Sequence, residues 1–352
     1  MRFPVGARLI GVGSAVPPHV VTNADIEKLV ETTDEWITTR TGIRKRHVVQ
    51  KGETASTLAS EAASDAIGFA GIDPKEIDLV IVATSTPDNL YPSTACMVQA
   101  SVGANRAAAF DVEAACTGIV YALTIAQQFI MTGMFKKVLV CGVDIHSRFL
   151  DWEDRNTCIL FGDGAGAFIM EACEENEVLA TYLRADGTGA QLLLIPNYGT
   201  MYPHEGSTPP KATHRFLHMN GRAIYEFAVN AVPEAVRACC EKAGIQVKDL
   251  DFMVPHQANQ RIIKAAAERL GLRQEQIVTN VADYGNTSAA SIPLAFNHAV
   301  KTGHVKAPAM MALVGFGGGL TWGAAVLRWT AVDKRVGQAT VENTDEKISE
   351  KV

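Results

Sequence analysis

The sequence predicts an α/β fold assembled from two related halves. Apolar strand-like runs alternate with segments of helical periodicity, and one pattern of such segments occurs twice along the chain. Residues 77–85, 137–144 and 309–316 are largely apolar, which is typical of strands covered on both faces of a sheet. Alternation of such strands with helices indicates an α/β architecture.

Two segments place apolar residues at three- and four-residue intervals, the spacing of one helix face. These positions are Ile119, Leu123, Ala126 and Ile130 in the first segment, and Ile262, Ile263, Ala266 and Leu270 in the second. Gly271 follows the second segment and predicts its C-terminal cap, because glycine adopts the left-handed conformation without strain.

The duplication shows as three anchors that share one offset. Residues 71–82 (GIDPKEIDLVIV) and 244–255 (GIQVKDLDFMVP) both run from Gly-Ile through a polar linker into an apolar strand, at an offset of 173 residues (244 − 71). The other anchors are Glu61-Ala62 with Glu234-Ala235, and Gly142 with Gly315. Three anchors in register indicate an ancient duplication.

These anchors predict how the chain is divided. We expect an N-terminal half at residues 1–175, a C-terminal half at 176–332 and a polar, disordered tail at 333–352. Residues 186–215 are rich in glycine and proline and predict a long loop.

Composition excludes several classes of protein. Of the 352 residues, 47% are hydrophobic and 20% are charged, which supplies a core and excludes a disordered chain. The 32 Lys+Arg against 38 Asp+Glu give a net charge of −6, which argues against a nucleic-acid partner. No apolar run approaches the ~20 residues of a membrane span. We expect a cytoplasmic protein with no membrane partner, or an organellar one if this is a processed form, since no signal peptide is evident.

Seven cysteines at irregular spacing, without a C-x-x-C pair, argue against a disulfide framework or a zinc site and suit a reducing compartment. Cys116 alone lies at a predicted strand-to-helix turn. The positive end of a helix stabilises a thiolate and lowers the thiol pKa. Cys116 is therefore a candidate nucleophile, with core packing as the alternative. Its counterpart in the other half is the segment NTSAASIPLA, so the duplication predicts that the two turns face each other.

His256 and Asn286 also lie where a predicted strand ends and a helix begins. Each has an ordinary alternative, a hydrogen-bonded structural histidine and a helix-capping asparagine. Together with Cys116 they form a chemical set at strand ends, where α/β sheets place ligand sites. The glycines of residues 315–323 would allow the backbone to approach a ligand closely, and the alternative is a tight turn between two strands. The glycines of residues 162–166 predict a hairpin or close packing of the backbone, and they do not predict a phosphate-binding loop.

At these residues the sequence resembles the β-ketoacyl-acyl-carrier-protein synthase III family of the thiolase superfamily, from Ala7 to about Trp329. The motifs that carry the resemblance are TNADIEKLVETTDEWITTRTGIRKRH, DVEAACTGIVYAL, DWEDRNTCILFGDGAGA, VPHQANQRII, YGNTSAASIPLA and GFGGGLTWG. The resemblance implies a thiolase-like, five-layered α-β-α-β-α fold from two duplicated halves. It also implies a homodimer and no metal or redox cofactor.

The resemblance assigns the catalytic set to Cys116, His256 and Asn286. It implies that Cys116 takes an acyl group from an acyl-CoA, with acetyl-CoA the expected primer. His256 and Asn286 would then stabilise the enolate formed when malonyl-acyl-carrier protein loses CO2, and condensation would give 3-oxoacyl-acyl-carrier protein. The backbone N–H groups of Cys116 and Gly318 would hold the oxyanion, and Phe316 would shape the decarboxylation site.

The resemblance also assigns substrate contacts. Trp36 and Arg155 would sandwich the CoA adenine, Arg40 would meet the phosphates, and Asn259 would complete the CoA site. Arg261 would lie on a basic rim facing the acidic carrier protein.

One contact of the dimer is implied as well: Tyr91 would close the acyl pocket of the partner subunit. The sequence departs from the family pattern at Leu320, where Phe is frequent, and at Thr117-Gly118-Ile119, where Ser/Ala-Gly-Phe is common. Both departures leave the length of the primer chain open.

Three other functions stay open at this point. The same fold could serve a condensing enzyme or acyltransferase of specialised metabolism with another acceptor. A cysteine-dependent thioester hydrolase would release CoA without forming a carbon–carbon bond. A non-catalytic acyl-CoA-binding protein would show no turnover.

Overall fold

Two large β-sheets, two small two-stranded sheets and three layers of helices are found in residues 6–196 and 216–335, the part of the chain that the computed structural model describes. The strands are β1 (Gly6–Ala15), β2 (Val20–Thr22), β3 (Lys45–His47), β4 (Leu79–Ala83), β5 (Ala108–Val112), β6 (Lys137–Asp144), β7 (Gly164–Cys173), β8 (Val178–Ala185), β9 (Leu193–Leu194), β10 (His218–Met219), β11 (Phe252–Pro255), β12 (Ala309–Gly317) and β13 (Thr321–Trp329). The helices are α1 (Asn23–Ile26), α2 (Asp34–Thr41), α3 (Ala55–Ala70), α4 (Thr94–Ser101), α5 (Gly118–Met131), α6 (Gly221–Ala243), α7 (Gln260–Leu270), α8 (Val281–Tyr284) and α9 (Ser291–Lys301).

The two large sheets repeat one strand order. The first runs β1-β7-β6-β4-β5, and the second, taken from its opposite end, runs β8-β13-β12-β11. The place of a fifth strand is held by Ile277, which forms an isolated parallel bridge to Met253. The register repeats too: Leu79 of β4 pairs with Val138 of β6, and Phe252 of β11 pairs with Met311 of β12, each at the 173-residue offset.

The layers follow from the two-residue alternation of side chains along each strand. In β4, Leu79 and Ile81 belong to the central core, whereas Val80 and Val82 face the core beneath α3 and α4. In β12, Leu313 faces the central core and its neighbours face α6 and α7.

Helices α5 and α9 form the central layer between the sheets and are buried along most of their length. Each helix also contacts the sheet of the other half, α5 on β12 and β13 and α9 on β1 and β7. The order of layers is therefore α-β-α-β-α, which confirms the predicted fold class.

Most predicted elements lie where the sequence places them. Gly271 ends α7 with φ of 70°, and residues 315–323 include the turn from β12 to β13. Gly166 of β7 packs against Pro293, since a Cβ there would lie 2.6 Å from the proline Cγ, which fits the close-packing interpretation of residues 162–166.

Two predicted segments differ or extend beyond the described residues. The start of the predicted loop is ordered as a 3₁₀ turn at Gly187–Leu192 followed by β9, while residues 197–215 lie outside the described part. Most of the predicted tail, residues 336–352, also lies outside it, and Arg335 forms an ion pair with Asp65 of α3. The half boundary near residue 175 stays a prediction.

Gly142 of β6 offers a direct test of the contact between the halves. A Cβ at this position would lie 2.3 Å from the backbone oxygen of Ala289, which no side-chain rotation can relieve. We expect Gly142→Ala to lower the free energy of unfolding by about 1–3 kcal/mol, the usual cost of overpacking. Urea titration against Gly187→Ala, whose Cβ would meet nothing within 4 Å, provides the matched control. Equal stability of the two variants would contradict the close contact.

Candidate active site

Cys116 lies in a 3₁₀ turn, Ala115–Thr117, between the end of β5 and the start of α5. Ala115 has φ of 45°, an uncommon value for a residue other than glycine, and the thiol that follows is buried. The glycines of β12 allow this turn to approach the second sheet: a Cβ at Gly315 would lie 3.1 Å from Thr117 Cα, and one at Gly317 would lie 2.8 Å from Cys116 N. The turn that carries Cys116 therefore packs closely against the other half.

A matching turn faces it from the C-terminal half. Ser288 has φ of 51° and lies 173 residues after Ala115 (288 − 115), so the strained position itself is duplicated. Its hydroxyl donates to Cys116 Sγ at 3.2 Å. Ala289 stands where the first half has Cys116, and its N–H donates to Asp144 Oδ2 at 3.2 Å. The two turns face each other as predicted.

His256 follows β11 directly and is held by its backbone and by one nitrogen of its ring. Its backbone N–H donates to Val314 O at 2.8 Å, and its Nδ1 lies 2.6 Å from Ser291 Oγ. Ser291 Oγ accepts from Gln257 N at 3.3 Å, so its own proton is free for Nδ1. This arrangement favours the tautomer with the proton on Nε2, where it can be donated to a ligand. The Phe316 ring packs edge-on against the imidazole at 5.1 Å.

The charge state of His256 follows from its surroundings. Burial, with a smaller contribution from nearby His146, lowers the pKa of His256 to about 3. The imidazole is therefore neutral at physiological pH. A neutral donor suits a site where negative charge develops only in the transition state.

Asn286 is fixed by its backbone and by its side-chain oxygen. Its N–H donates to Leu160 O at 2.9 Å, and its C=O accepts from Gly162 N at 3.0 Å. Its Oδ1 accepts from Ser288 N at 2.9 Å, which assigns the amide orientation and leaves the NH2 group for the cavity. The N-cap of the 3₁₀ helix Ser288–Ala290 is Thr287, so the helix-capping alternative for Asn286 is wrong, and its side chain instead bonds the amide two residues later.

A cavity of about 650 Å³ brings most of the predicted site residues together. Those that line it are Trp36, Arg40, Cys116, His256, Asn259, Arg261, Asn286 and Phe316. A second cavity of about 400 Å³ also borders the thiol, and besides Cys116 and Gly318 its lining includes apolar side chains such as Leu193 and Leu217 and the polar side chains of Ser85, Glu113, His146, Ser288 and Thr321. Cys116 therefore borders two cavities, each lined by both apolar and polar groups.

The predicted CoA contacts are arranged differently from the expected sandwich. The guanidinium groups of Arg40 and Arg155 both stack on the Trp36 ring, at 4.7 and 4.8 Å from its centroid. Arg155 also donates to the backbone oxygen of Glu31 at 3.0 Å. A guanidinium in contact with the ring leaves no room for adenine between Trp36 and Arg155, so this role requires Arg155 to move away.

The remaining predicted contacts lie at the rim or away from it. Asn259 caps α7 by accepting from Arg261 N at 2.8 Å. The Arg261 guanidinium is exposed and lies 5.6 Å from the Tyr225 ring centroid. Tyr91 is 86% exposed and lines neither cavity. Leu320 is buried against Gly189, also outside both cavities, so its departure from the family pattern does not reach the thiol directly.

Within the two described ranges, no group of three or more His, Cys, Asp or Glu residues could hold a metal ion. No helix in those ranges is both long and apolar enough to cross a bilayer. All seven cysteines are free thiols.

The expectation of a lowered thiol pKa at Cys116 is wrong for the free protein. Burial raises the pKa of Cys116 to about 12; the hydrogen bond from Ser288 is the next largest influence and lowers it, and the carboxylates of Asp144 and Glu113 raise it by less. The expectation weighed the helix end alone, whereas desolvation disfavours the charged thiolate more strongly.

This raised pKa predicts the pH dependence of alkylation. Below its pKa a thiol gains tenfold in thiolate for each unit of pH, so the rate of Cys116 modification by iodoacetamide should rise about tenfold per unit from pH 6 to 9 without levelling. Peptide mass spectrometry follows Cys116 and the exposed Cys96 in the same sample, and Cys96 serves as the internal control. A plateau at Cys116 below pH 8 would show that the thiolate is stabilised after all.

Four residues of the site escaped the sequence analysis: Ser288, Ser291, Asp144 and His146. Ser288 carried one usable signal, its place at the 173-residue offset from the residue before the cysteine. Asp144 ends β6 and His146 follows it, so both lie at a strand end like those that carry Cys116 and His256. Ser291 had no signal in its own segment, because its role depends on a histidine 35 residues away.

Comparison with known proteins gives one consistent result. The family described as 3-oxoacyl-[acyl-carrier-protein (ACP)] synthase III matches residues 110–187, and its C-terminal domain matches residues 240–329. A curated relative, the β-ketoacyl-[acyl-carrier-protein] synthase III of Thermosynechococcus vestitus, is 48% identical over 92% of this chain and 98% of its own length.

Solved structures similar to this chain point to the same family. The 3-oxoacyl-[acyl-carrier-protein] synthase III of Aquifex aeolicus is 45% identical, with a TM-score of 0.85 over 92% of this chain and 100% of its own. The priming β-ketosynthase of the R1128 polyketide biosynthetic pathway is 35% identical, with a TM-score of 0.89 over 95% of this chain and 98% of its own.

Proposed function

Because the chain belongs to the β-ketoacyl-[acyl-carrier-protein] synthase III family, we propose that it condenses an acyl-CoA primer, acetyl-CoA first among them, with malonyl-acyl-carrier protein. The products are 3-oxoacyl-acyl-carrier protein, CoA and CO2, and the reaction starts fatty-acid synthesis. One observation carries the proposal: a buried thiol shares a cavity with two neutral hydrogen-bond donors, His256 and Asn286.

In the first half-reaction Cys116 takes the acyl group. Its sulfur forms a bond to the thioester carbonyl carbon, the bond from that carbon to the CoA sulfur breaks, and the thiol proton leaves with CoA. The N–H groups of Cys116 and Gly318 are the proposed oxyanion donors. Gly318 lies beside the nucleophile turn, since a Cβ there would be 3.4 Å from Ala115 Cβ.

In the second half-reaction His256 and Asn286 act on the malonyl thioester. Nε2–H of the histidine and the amide NH2 donate to the thioester oxygen, which becomes an enolate oxygen as the C–C bond to CO2 breaks. The enolate carbon then forms a bond to the acyl carbon, the bond from that carbon to the Cys116 sulfur breaks, and the released thiolate takes a proton from water to restore the thiol. Phe316 packs on the imidazole and holds it in place.

The substrate contacts extend this proposal to the cavity entrance. Trp36, Arg40, Arg155 and Asn259 are proposed to hold CoA, after Arg155 leaves its stacked position. Arg261 is proposed to meet the acidic carrier protein, and its exposed guanidinium at the rim supports this.

We also propose a homodimer. Strand β5 forms one edge of the first sheet, and among the described residues it pairs on one side only. Near it in the chain, Leu90 and Tyr91 are 74% and 86% exposed, unusual values for large apolar side chains in a monomer. The role of Tyr91 in the partner's acyl pocket is part of this proposal. The reaction needs no resident cofactor, and we place it in the cytoplasm, where seven free cysteines stay reduced.

A second function has one observation in its favour, the structural likeness to a priming ketosynthase of polyketide synthesis. It would use the same thiol and donors with a different primer or acceptor.

One experiment tests both functions. Purified protein receives acetyl-, isobutyryl- or hexanoyl-CoA with malonyl-acyl-carrier protein or malonyl-CoA, and products are identified by mass spectrometry. Efficient 3-oxobutyryl-acyl-carrier protein formation supports the first function. Preference for a longer primer or for malonyl-CoA supports the second. CoA release without a carbon–carbon bond under every condition would overturn both and leave the hydrolase.

A further inference from the structure

The strand that follows the central helix ends differently in the two halves. Strand β6 ends at Asp144 and β12 ends at Gly317, and the offset of 173 residues (317 − 144) relates these two positions. The same offset relates Cys116 to Ala289, the middle residues of the two facing 3₁₀ turns. Each turn therefore meets the strand end of the opposite half, and the duplication lets the two contacts be compared directly.

At the turn that carries Cys116, the strand end supplies no side chain. A Cβ at Gly317 would lie 2.8 Å from Cys116 N, so any side chain at this position would press against the N–H that is proposed to hold the oxyanion. Both residues line the first cavity. Glycine at position 317 thus keeps side-chain atoms away from this N–H and leaves the space beside it to a substrate.

At the other turn an aspartate occupies the equivalent position. Asp144 Oδ2 accepts at 3.2 Å from Ala289 N, the counterpart of Cys116 N. The side chain is fully buried, and its Oδ1 accepts from Ser85 N at 2.8 Å and from Thr86 Oγ1 at 3.1 Å. A negative oxygen on a backbone N–H is the interaction that an oxyanion hole offers to its substrate. The second half therefore holds a copy of the proposed oxyanion site, filled by a carboxylate of the protein itself.

The turn that Asp144 holds, Ser288–Ala290, carries groups that the proposed reaction uses. Ser288 donates its backbone N–H to Asn286 Oδ1 at 2.9 Å and its hydroxyl to Cys116 Sγ at 3.2 Å. Its φ of 51° is unfavourable for serine, so surrounding contacts have to maintain it. The bond from the next N–H to the carboxylate is one such contact, and through Ser288 it fixes the orientation of the Asn286 amide.

The other enolate donor, His256, is held by different groups. Its Nδ1 lies 2.6 Å from Ser291 Oγ, and its backbone N–H donates to Val314 O at 2.8 Å. Ser291 begins α9, a helix that is itself buried along most of its length. Loss of the Asp144 carboxylate should therefore disturb the asparagine more than the histidine.

We propose that Asp144 is a positioning residue for the reaction: by filling the second copy of the oxyanion site, its carboxylate holds the turn that orients Asn286 for the malonyl thioester. This inference rests on the proposed condensing function. Asp144 lines neither cavity, so it acts through the turn and touches no substrate atom.

The test begins with Asp144→Asn. Asparagine has nearly the same shape but only one oxygen, so its NH2 group would face a donor N–H, either that of Ala289 or that of Ser85. We expect the release of radiolabelled CO2 from malonyl-acyl-carrier protein to fall by about 10²-fold, a loss that a misplacement of about 1 Å can cause. The matched control is Asp78→Asn beside the start of β6, where the carboxylate accepts from Lys136 N and Lys137 N; it should decarboxylate like the wild type.

Two double-mutant cycles separate positioning from a general loss of structure. In the Asn286→Ala background, Asp144→Asn should cost less than about threefold more, because the group that it orients is already gone. In the His256→Ala background it should cost nearly its full amount. If Asp144→Asn does not fold, Thr86→Val removes one donor to the carboxylate without a change of shape and enters the same cycles, with an expected loss of about tenfold.

The outcomes distinguish this inference from the proposed function. Equal losses in the two backgrounds, or a larger loss in the Asn286→Ala background, would overturn the inference, because the carboxylate would then not act through the asparagine. Decarboxylation at the wild-type rate by Asp144→Asn would overturn it as well, and in each of these cases the condensing function stands. If the wild type itself neither releases CO2 nor forms a carbon–carbon bond, the proposed function fails, and the inference fails with it.

Discussion

Cys116→Ala should lose condensation by at least about 10³-fold and form no acyl-enzyme with any acyl-CoA, because no other thiol borders the two cavities of the described structure. The same variant should still release CO2 from malonyl-acyl-carrier protein. His256 and Asn286 are held by Ser291, Ser288 and backbone groups, so the enolate donors survive loss of the sulfur.

Radiolabelled malonyl-acyl-carrier protein measures the CO2, and intact-protein mass measures the acyl-enzyme. Cys96→Ala, which removes an exposed thiol, is the matched control and should behave as wild type. Acyl-enzyme formation in the alanine variant at position 116 would move the nucleophile to another cysteine. Simultaneous loss of decarboxylation would show that the two half-reactions are not separable in the way that the geometry indicates.

His256→Ala should produce the complementary defect. We expect decarboxylation and condensation to fall by about 10²–10³-fold, the usual cost of removing one donor from a developing oxyanion. Acylation of Cys116 should stay within about tenfold of wild type. Burial lowers the pKa of His256 to about 3, so the imidazole is neutral and its proposed role is that of an uncharged donor.

Pre-steady-state mixing with acetyl-CoA separates acylation from the later steps, and His304→Ala, which removes an exposed histidine, controls for the substitution. If the variant at position 256 fails to acylate at all, the imidazole acts as the base for the thiol. That result would also strengthen the hydrolase alternative, in which the same base would activate water.

The fold was accessible from the sequence because its main determinants are local and repeated. The apolar strands and the 173-residue offset can be recognised in the amino-acid sequence. The strand pairs β4–β6 and β11–β12 have the register that this offset predicts. The reduction of the fifth strand of the second half to a single bridge at Ile277 was not visible, since the pairing of an edge strand depends on its tertiary neighbours.

The sequence predicted only part of the candidate active site. Strand-end positions brought Cys116, His256 and Asn286 together, and the family resemblance assigned their roles. The pKa of the thiol was missed because the contacts that bury it come from β12 and from the facing turn, more than 170 residues away. Asp144 was missed because its role depends on a backbone N–H that lies 145 residues further along the chain.

The stacking of Arg155 on Trp36 could not be foreseen either. Sequence patterns place residues near a ligand, but they do not state what those residues contact while the ligand is absent. In this chain the guanidinium groups of Arg40 and Arg155 stack on the indole, so the proposed adenine contact requires Arg155 to move.

The central helices also constrain how the chain is completed during synthesis. Helix α9 covers β1 and β7, although it is made more than 100 residues after both strands. A nascent chain that has emerged only as far as β8 therefore exposes an apolar sheet face whose cover does not yet exist. Such exposure favours aggregation, so we expect ribosome-bound intermediates of this length to associate with chaperones until residue 301 has emerged.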